Sequence, residues 1–303
     1  MTSAALEVVR PGALTTVQDL GRPGHAHLGV PRSGALDAGA HDLANRLLGN
    51  GRDAATLETT VDGVGLRALA PVTVVVTGAP CAVRVSGRPA AWGAPVRLGA
   101  GAELEVGRAE SGVRSYVAVR GGFAVPPVLG SRSTDLLSGL GPGVLTGGAV
   151  LPVGPTGPDP VLGADALRVP GAPSELVLPL RLGPRADWFE PASIAALWRA
   201  EFRVSPASNR IGLRTEAGVR LARSRGGELP SEGMVLGAVQ VPPDGLPVVF
   251  LADHPVTGGY PVVGVVPLGP ALDAAAQAGP GVPVRFVGVR GGRWAKGSSP
   301  RGS

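Results

Sequence analysis

One cysteine, one lysine and few aromatic residues set the first limits on this chain. Cys81 stands alone, so neither an internal disulfide nor a multi-thiolate metal site can form, and a reducing cytoplasm is expected. Lys296 is the only lysine. A phosphate-binding P-loop needs a lysine after its glycines, and a biotin carrier needs one between methionines or similar apolar residues; Lys296 lies in a polar tail that suits neither. The formal charge of +5 therefore rests on arginines, which are scattered rather than striped, and with aromatics at 4% this is not the pattern of a nucleic-acid binder. No apolar run approaches the ~18 residues of a membrane span. The first ten residues lack a basic-then-apolar signal pattern, so a cytoplasmic protein without a membrane partner is expected.

What the chain has in quantity is glycine and proline, 48 and 31 in 303 residues, spread between short valine-rich runs. Hydrophobic residues at 44% against charged ones at 17% exclude general disorder, and many turns joining many short strands indicate a mainly β protein of the sandwich or barrel kind. The strands are expected at 5–10, 56–60, 66–69, 72–77, 82–85, 96–98, 103–106, 115–119, 176–182, 202–205 and 282–287. The clearest helix spans 36–50, where Leu36, Ala40, Leu43, Ala44, Leu47 and Leu48 recur at spacings of three and four; Asp37 caps it and His41 falls off the apolar face onto the surface. Shorter helices are expected from Pro191 to about Arg199 and over 271–278. A Pro/Gly/Asp-rich passage at 152–173 marks a join between two domains, 1–165 and 166–290, and 291–303 reads as a disordered tail.

The stretch from Ser231 to Pro261 draws most attention. Two β-branched runs flank Pro242-Pro243-Asp244-Gly245, which predicts a hairpin. Its second strand ends in Asp253-His254-Pro255-Val256-Thr257-Gly258-Gly259, which delivers a carboxylate, an imidazole and a hydroxyl into a glycine-rich loop. His25 and His27, two apart on an extended backbone, would face one side, but no third metal ligand lies near and no metal site is expected. Arg132 sits among Ser131, Ser133 and Thr134 on a glycine turn, a pattern that binds a carboxylate or phosphate or merely caps a turn.

Seven segments, LTTVQDLGRPG (14–24), GVPRSGALD (29–37), ANRLLGN (44–50), LGSRST (129–134), SNRIGLR (208–214), SEGMVLGAVQVPPDG (231–245) and LADHPVTGGYP (251–261), together resemble the biotin-dependent carboxyltransferase family, also called allophanate hydrolase subunit 2. The resemblance covers about 6–288. It implies two cyclophilin-like β-barrel domains with a few short helices. It also implies a heteromer of three components, in which this chain would be component C, joined by component B (KipI-like, allophanate hydrolase subunit 1) and component A. The implied activity is ATP-dependent opening of 5-oxoproline to glutamate, with ATP used in the complex and no covalent biotin on this chain. Two alternatives stay open: the carboxyltransferase component of a urea carboxylase, and KipA-like regulatory binding without turnover.

A lactam resists water, and phosphorylating its carbonyl oxygen makes an imidate-like species that hydrolyses readily once the developing charge is neutralised. On that chemistry Arg22, Arg132 and Arg210 are the candidates for anion contact, with His27 and Thr257 beside them in substrate binding. Asp253 or His254 would handle protons, and Gln18 with Asp19 would orient the substrate. If Asp253 and His254 sit at a loop end, Asp253→Asn and His254→Ala should abolish activity while hardly moving the melting temperature.

Overall fold

The computed structural model describes residues 4–162, 173–227 and 229–289. Within these the chain is mainly β with three short α-helices, Ala38–Leu47, Pro191–Leu197 and Pro270–Gln277. In the first half, Ala5–Arg10 pairs with Val64–Ala68, which leads through Glu103–Ala109 and Cys81–Val85 to one edge at Arg88–Ala90, while Val150–Pro152 closes the other. A second sheet of five runs Thr15–Gln18, Thr56–Thr60, Arg114–Val119, Val72–Gly78 and Val96–Leu98. Alternation puts one face of each sheet inward: Leu6, Val8, Leu66 and Val106 meet Val17, Leu57, Val74 and Val117 in one core. This half is two sheets packed over a shared interior, and its edges at 88–90 and 150–152, RPA and VLP, were not expected as strands, each being short and containing a proline.

Arg114–Val119 is buried along its whole length, because its second face is covered as well. Helix Ala38–Leu47 lies there, packing Ala44, Leu47 and Leu48 on Val75 and Ala118. Asp37 caps the helix, accepting from the Ala40 N–H at 2.9 Å. His41 is a correction to the surface position expected of it: it is fully buried, bonded through Nδ1 to the Thr56 hydroxyl (2.9 Å) and through Nε2 to the Arg52 carbonyl (3.0 Å). A histidine with both ring nitrogens satisfied fits between a helix and a sheet as well as an apolar residue does, which periodicity alone does not register.

The second half is a closed barrel of seven strands in the order Leu176–Leu182, Val262–Val265, Ala238–Gln240, Val248–Phe250, Gly212–Glu216, Phe202–Val204 and Pro283–Gly288. Closure comes from a parallel pairing of its first and last strands, Leu176↔Val284 through Leu180↔Gly288. The expected hairpin is present, with Val239 opposite Val249. Phe202 and Phe286 meet edge to face inside the barrel, and Leu36 of the first half joins that core. The join expected at 152–173 falls partly, and the tail at 291–303 wholly, outside the described residues. No described helix is long and apolar enough to cross a membrane.

Candidate functional site

Two strands of the five-stranded sheet aim charge at the barrel. Register places Glu58 opposite Tyr116, so both side chains leave the sheet on the helix side, and Tyr116 Oη donates to Glu58 Oε2 at 2.7 Å. Arg210, at the turn into strand Gly212–Glu216, reaches across from the second half. Its Nη1 donates to Glu58 Oε1, its Nε and Nη2 donate to both oxygens of Asp253 at 2.9 and 3.0 Å, and Nη2 also donates to the Gly34 carbonyl. Arg114 lies 3.6 Å from Glu58 and donates to the Ala276 carbonyl on the barrel's helix. Two arginines and two carboxylates, all buried, thus balance at the junction. Burial opposes ionisation of Glu58, but Arg210 and Arg114 outweigh it and hold its pKa below the usual carboxylate range.

Beside this lies a second carboxylate pair. Asp273 of helix Pro270–Gln277 accepts from the Ala38 N–H at 3.1 Å, on the same helix end that Asp37 caps. Burial first, then the charge of Asp37, pushes Asp273 up to about 6. Gln277 ties the halves: its Nε2 donates to Asp37 and its Oε1 accepts from the Val113 and Arg114 N–H groups.

The loops above the junction are knotted by Asp19. Oδ1 accepts from the Ser131 and Ser133 hydroxyls at 2.6 Å each and from the Gly21 N–H at 2.8 Å, and Oδ2 accepts from the Arg132 N–H at 2.6 Å. Gly21, at φ +79°, lets this loop lie on the next, since a Cβ there would come within 2.5 Å of the Ser33 carbonyl oxygen. Ser33 is itself left-handed (φ 56°) and is held by its N–H on the Ala252 carbonyl. Its hydroxyl lies 2.9 Å from both the Thr134 carbonyl and Asp253.

In front of the knot a cleft of about 530 Å³ opens between the halves. One wall is the loop from Arg22 to Arg32; the other comes from the barrel, with Arg181, Leu236, His254 and Val256 among its residues. The lining is largely apolar, includes three arginines and contains no aspartate or glutamate. His254 is buried, stacks on Phe250 at 6.1 Å between centroids, and bonds through Nδ1 to the Pro255 carbonyl at 2.7 Å. A carbonyl can only accept, so the proton sits on Nδ1 and Nε2 keeps its lone pair. Burial, with Arg32 nearby, lowers the His254 pKa and keeps the ring neutral at pH 7.

The residues singled out from the sequence fall into three groups. Arg22 and His254 line the cleft. Asp19, Asp253, Arg210 and Gln18 are buried behind it, and Arg132 holds the Val125 carbonyl through Nε at 2.8 Å. Against the substrate contact expected of these residues stand the partners they have here: Asp19 holds the Ser131 and Ser133 hydroxyls, Asp253 and Arg210 hold each other, and Gln18 donates to Thr16 and Thr134. His27 and Thr257 are exposed, His27 on a turn where its Nδ1 bonds to the Gly24 carbonyl at 3.1 Å, and neither lines the cleft. Among the described residues no three His, Cys, Asp or Glu side chains gather as metal ligands. Sequence reading missed Glu58, Arg114, Arg32 and Arg181. Glu58 had one visible signal, a lone carboxylate inside the β-branched run Thr56–Thr60, and Arg32 lies within the motif GVPRSGALD.

The family model for the carboxyltransferase domain, subdomain A and B, matches residues 28–288. Component C of the 5-oxoprolinase of Escherichia coli (strain K12) is 36% identical over 285 residues, which cover 93% of this chain and 90% of that protein. The urea amidolyase of Lachancea kluyveri is 34% identical over 94% of this chain, but the match takes up only 17% of its own length. In the crystal structure of the K. lactis urea amidolyase, a region of 29% identity superposes with a TM-score of 0.88, covering 96% of this chain and 19% of that one.

Proposed function

This chain belongs to the carboxyltransferase domain family, subdomains A and B, and on that premise we propose that it is component C of a heteromeric, ATP-dependent 5-oxoprolinase that opens 5-oxoproline to glutamate together with components A and B. The observation that carries this reading is the charge of the cleft: three arginines, an apolar lining and no carboxylate. 5-Oxoproline brings a carboxylate on a lactam ring with two methylenes, whereas urea brings neither carboxylate nor methylene. The match along nine-tenths of an oxoprolinase component, against under a fifth of a urea amidolyase, supports the same side. In this reading each half is one cyclophilin-like barrel domain, 1–165 and 166–290.

The residues of this chain divide the work by position. The arginines hold the substrate anion, the apolar wall packs against the ring methylenes, and His254, neutral and with a free Nε2 lone pair, accepts a proton from the water that attacks the ring carbonyl. ATP supplies the driving force as a substrate of the complex. This chain offers it no glycine-lysine loop, for its only lysine is Lys296, and that residue suits covalent biotin no better. The test is reconstitution with components A and B. Lactam-dependent ATP hydrolysis and glutamate should appear together and only with this chain present; consumption of carboxybiotin on adding urea, with no response to 5-oxoproline, would overturn the reading in favour of the carboxyltransferase.

A further inference from the structure

Arg22 differs from the buried arginines of the junction in what holds it. Its Nη2 donates to the Ser133 carbonyl and its Nε lies 3.3 Å from the Val128 carbonyl, so its bonds go to neutral acceptors. Its Nη1 is buried and has no hydrogen-bond partner. The nearest carboxylates are already engaged: Asp135 caps its own turn through Leu137 and Ser138, Asp19 holds the serine hydroxyls, and Asp253 faces Arg210. Arg32, across the same wall, makes no side-chain hydrogen bond or ion pair among the described residues. A buried guanidinium with an unfilled donor is costly in a folded protein, and an anion that brings its own acceptor oxygens removes the cost.

We infer that Arg22, supported by Arg32, is the specificity-determining anion contact of the cleft, and that this chain by itself binds a small cyclic carboxylate. The identity of the ligand as 5-oxoproline rests on the function proposed above; the anion site does not. The carbonyls that grip Arg22 through Nε and Nη2 fix its guanidinium in place, so the remaining donor, Nη1, points in a set direction.

Calorimetric titration of the purified chain with 5-oxoproline and with 2-pyrrolidone, the same ring without its carboxylate, tests this directly. 5-Oxoproline should bind at least roughly tenfold more tightly, the usual worth of one charge-assisted hydrogen bond. Arg22→Gln should bring the two lactams to similar affinity, and Arg32→Gln should reduce the ratio in part. Thermal melting identifies a variant that has lost its fold, and the wild-type ratio stands without any variant. Equal binding of both lactams by the wild type, no binding of either, or an undiminished ratio in folded Arg22→Gln would each overturn the inference. The two readings also separate: Arg22-dependent binding with no turnover in the reconstituted complex would remove the oxoprolinase and keep the site, while turnover with an unchanged KM in Arg22→Gln would do the reverse.

Discussion

The junction and the cleft are built from the same side chain and use it oppositely. Arg210 lies between two carboxylates and a carbonyl, deep in protein, and is not among the residues that line the cleft. Arg22 is as buried but hangs on carbonyls with a donor left over. Compensated charge is scaffold, because removing either partner strands the other in a medium that solvates it poorly. A buried donor without an acceptor of its own is a candidate site, because a ligand that supplies the acceptor completes it.

The comparison breaks most visibly at Arg210. Arg210→Met leaves Glu58 and Asp253 buried without their shared cation, so unfolding should cost about 3–5 kcal/mol less, and Asp253→Asn should destabilise by somewhat less, since Glu58 still holds the guanidinium. Chemical denaturation measures both, and a melting temperature unmoved by Asp253→Asn would return that residue to the loop-end role its position in LADHP first suggested.

An intermediate effect of opposite sign is expected at Asp273. Its pKa is raised from the ordinary 3.8 to about 6, so the folded state holds a proton the unfolded state has released. The stability this contributes is complete below the unfolded value and is lost as pH rises through the folded one, between about 4 and 6. Asp273→Asn keeps the acceptor for the Ala38 N–H without the charge, so at pH 7 it should stabilise by about 1–2 kcal/mol after allowing for partial exposure. The difference should vanish at pH 4; a gain independent of pH would mean that the cost of burying the ionised Asp273 beside Asp37 is not its source.

The smallest change in stability is expected in the cleft. Arg32→Gln should stay within about 0.5 kcal/mol of wild type while lowering discrimination between the two lactams, and a large loss of stability there would show that Arg32 belongs with the scaffold after all.

Much of the architecture was legible in the residues. Strands such as Thr56–Thr60 and Val72–Gly78 follow from β-branched runs and Leu176–Leu182 from alternating leucines, and the helix at Ala38–Leu47 from its spacing of leucines and alanines. Local pattern carries that information because each element answers to its own neighbours in sequence. The site was legible only as a set of motifs. Which arginine faces solvent and which faces a carboxylate depends on contacts such as Arg210 to Glu58, 152 residues apart, and no local pattern encodes them. Hence Asp253 and His254, adjacent in the chain, part company: one turns into the junction and the other into the cleft.

The parallel pairing of Leu176–Leu182 with Pro283–Gly288 bears on the order in which the molecule is made. A barrel sealed by its first and last strands stays open during synthesis until the last one leaves the ribosome. Through that interval the first half, already complete in sequence, holds Glu58 and Arg114 at a face whose counterpart Arg210 has no fixed position. A nascent chain stalled before Pro283 should therefore be cut readily by protease in both halves, and one stalled well past Gly288 in neither, so that the finishing of the barrel and the seating of the ionic junction become a single late event.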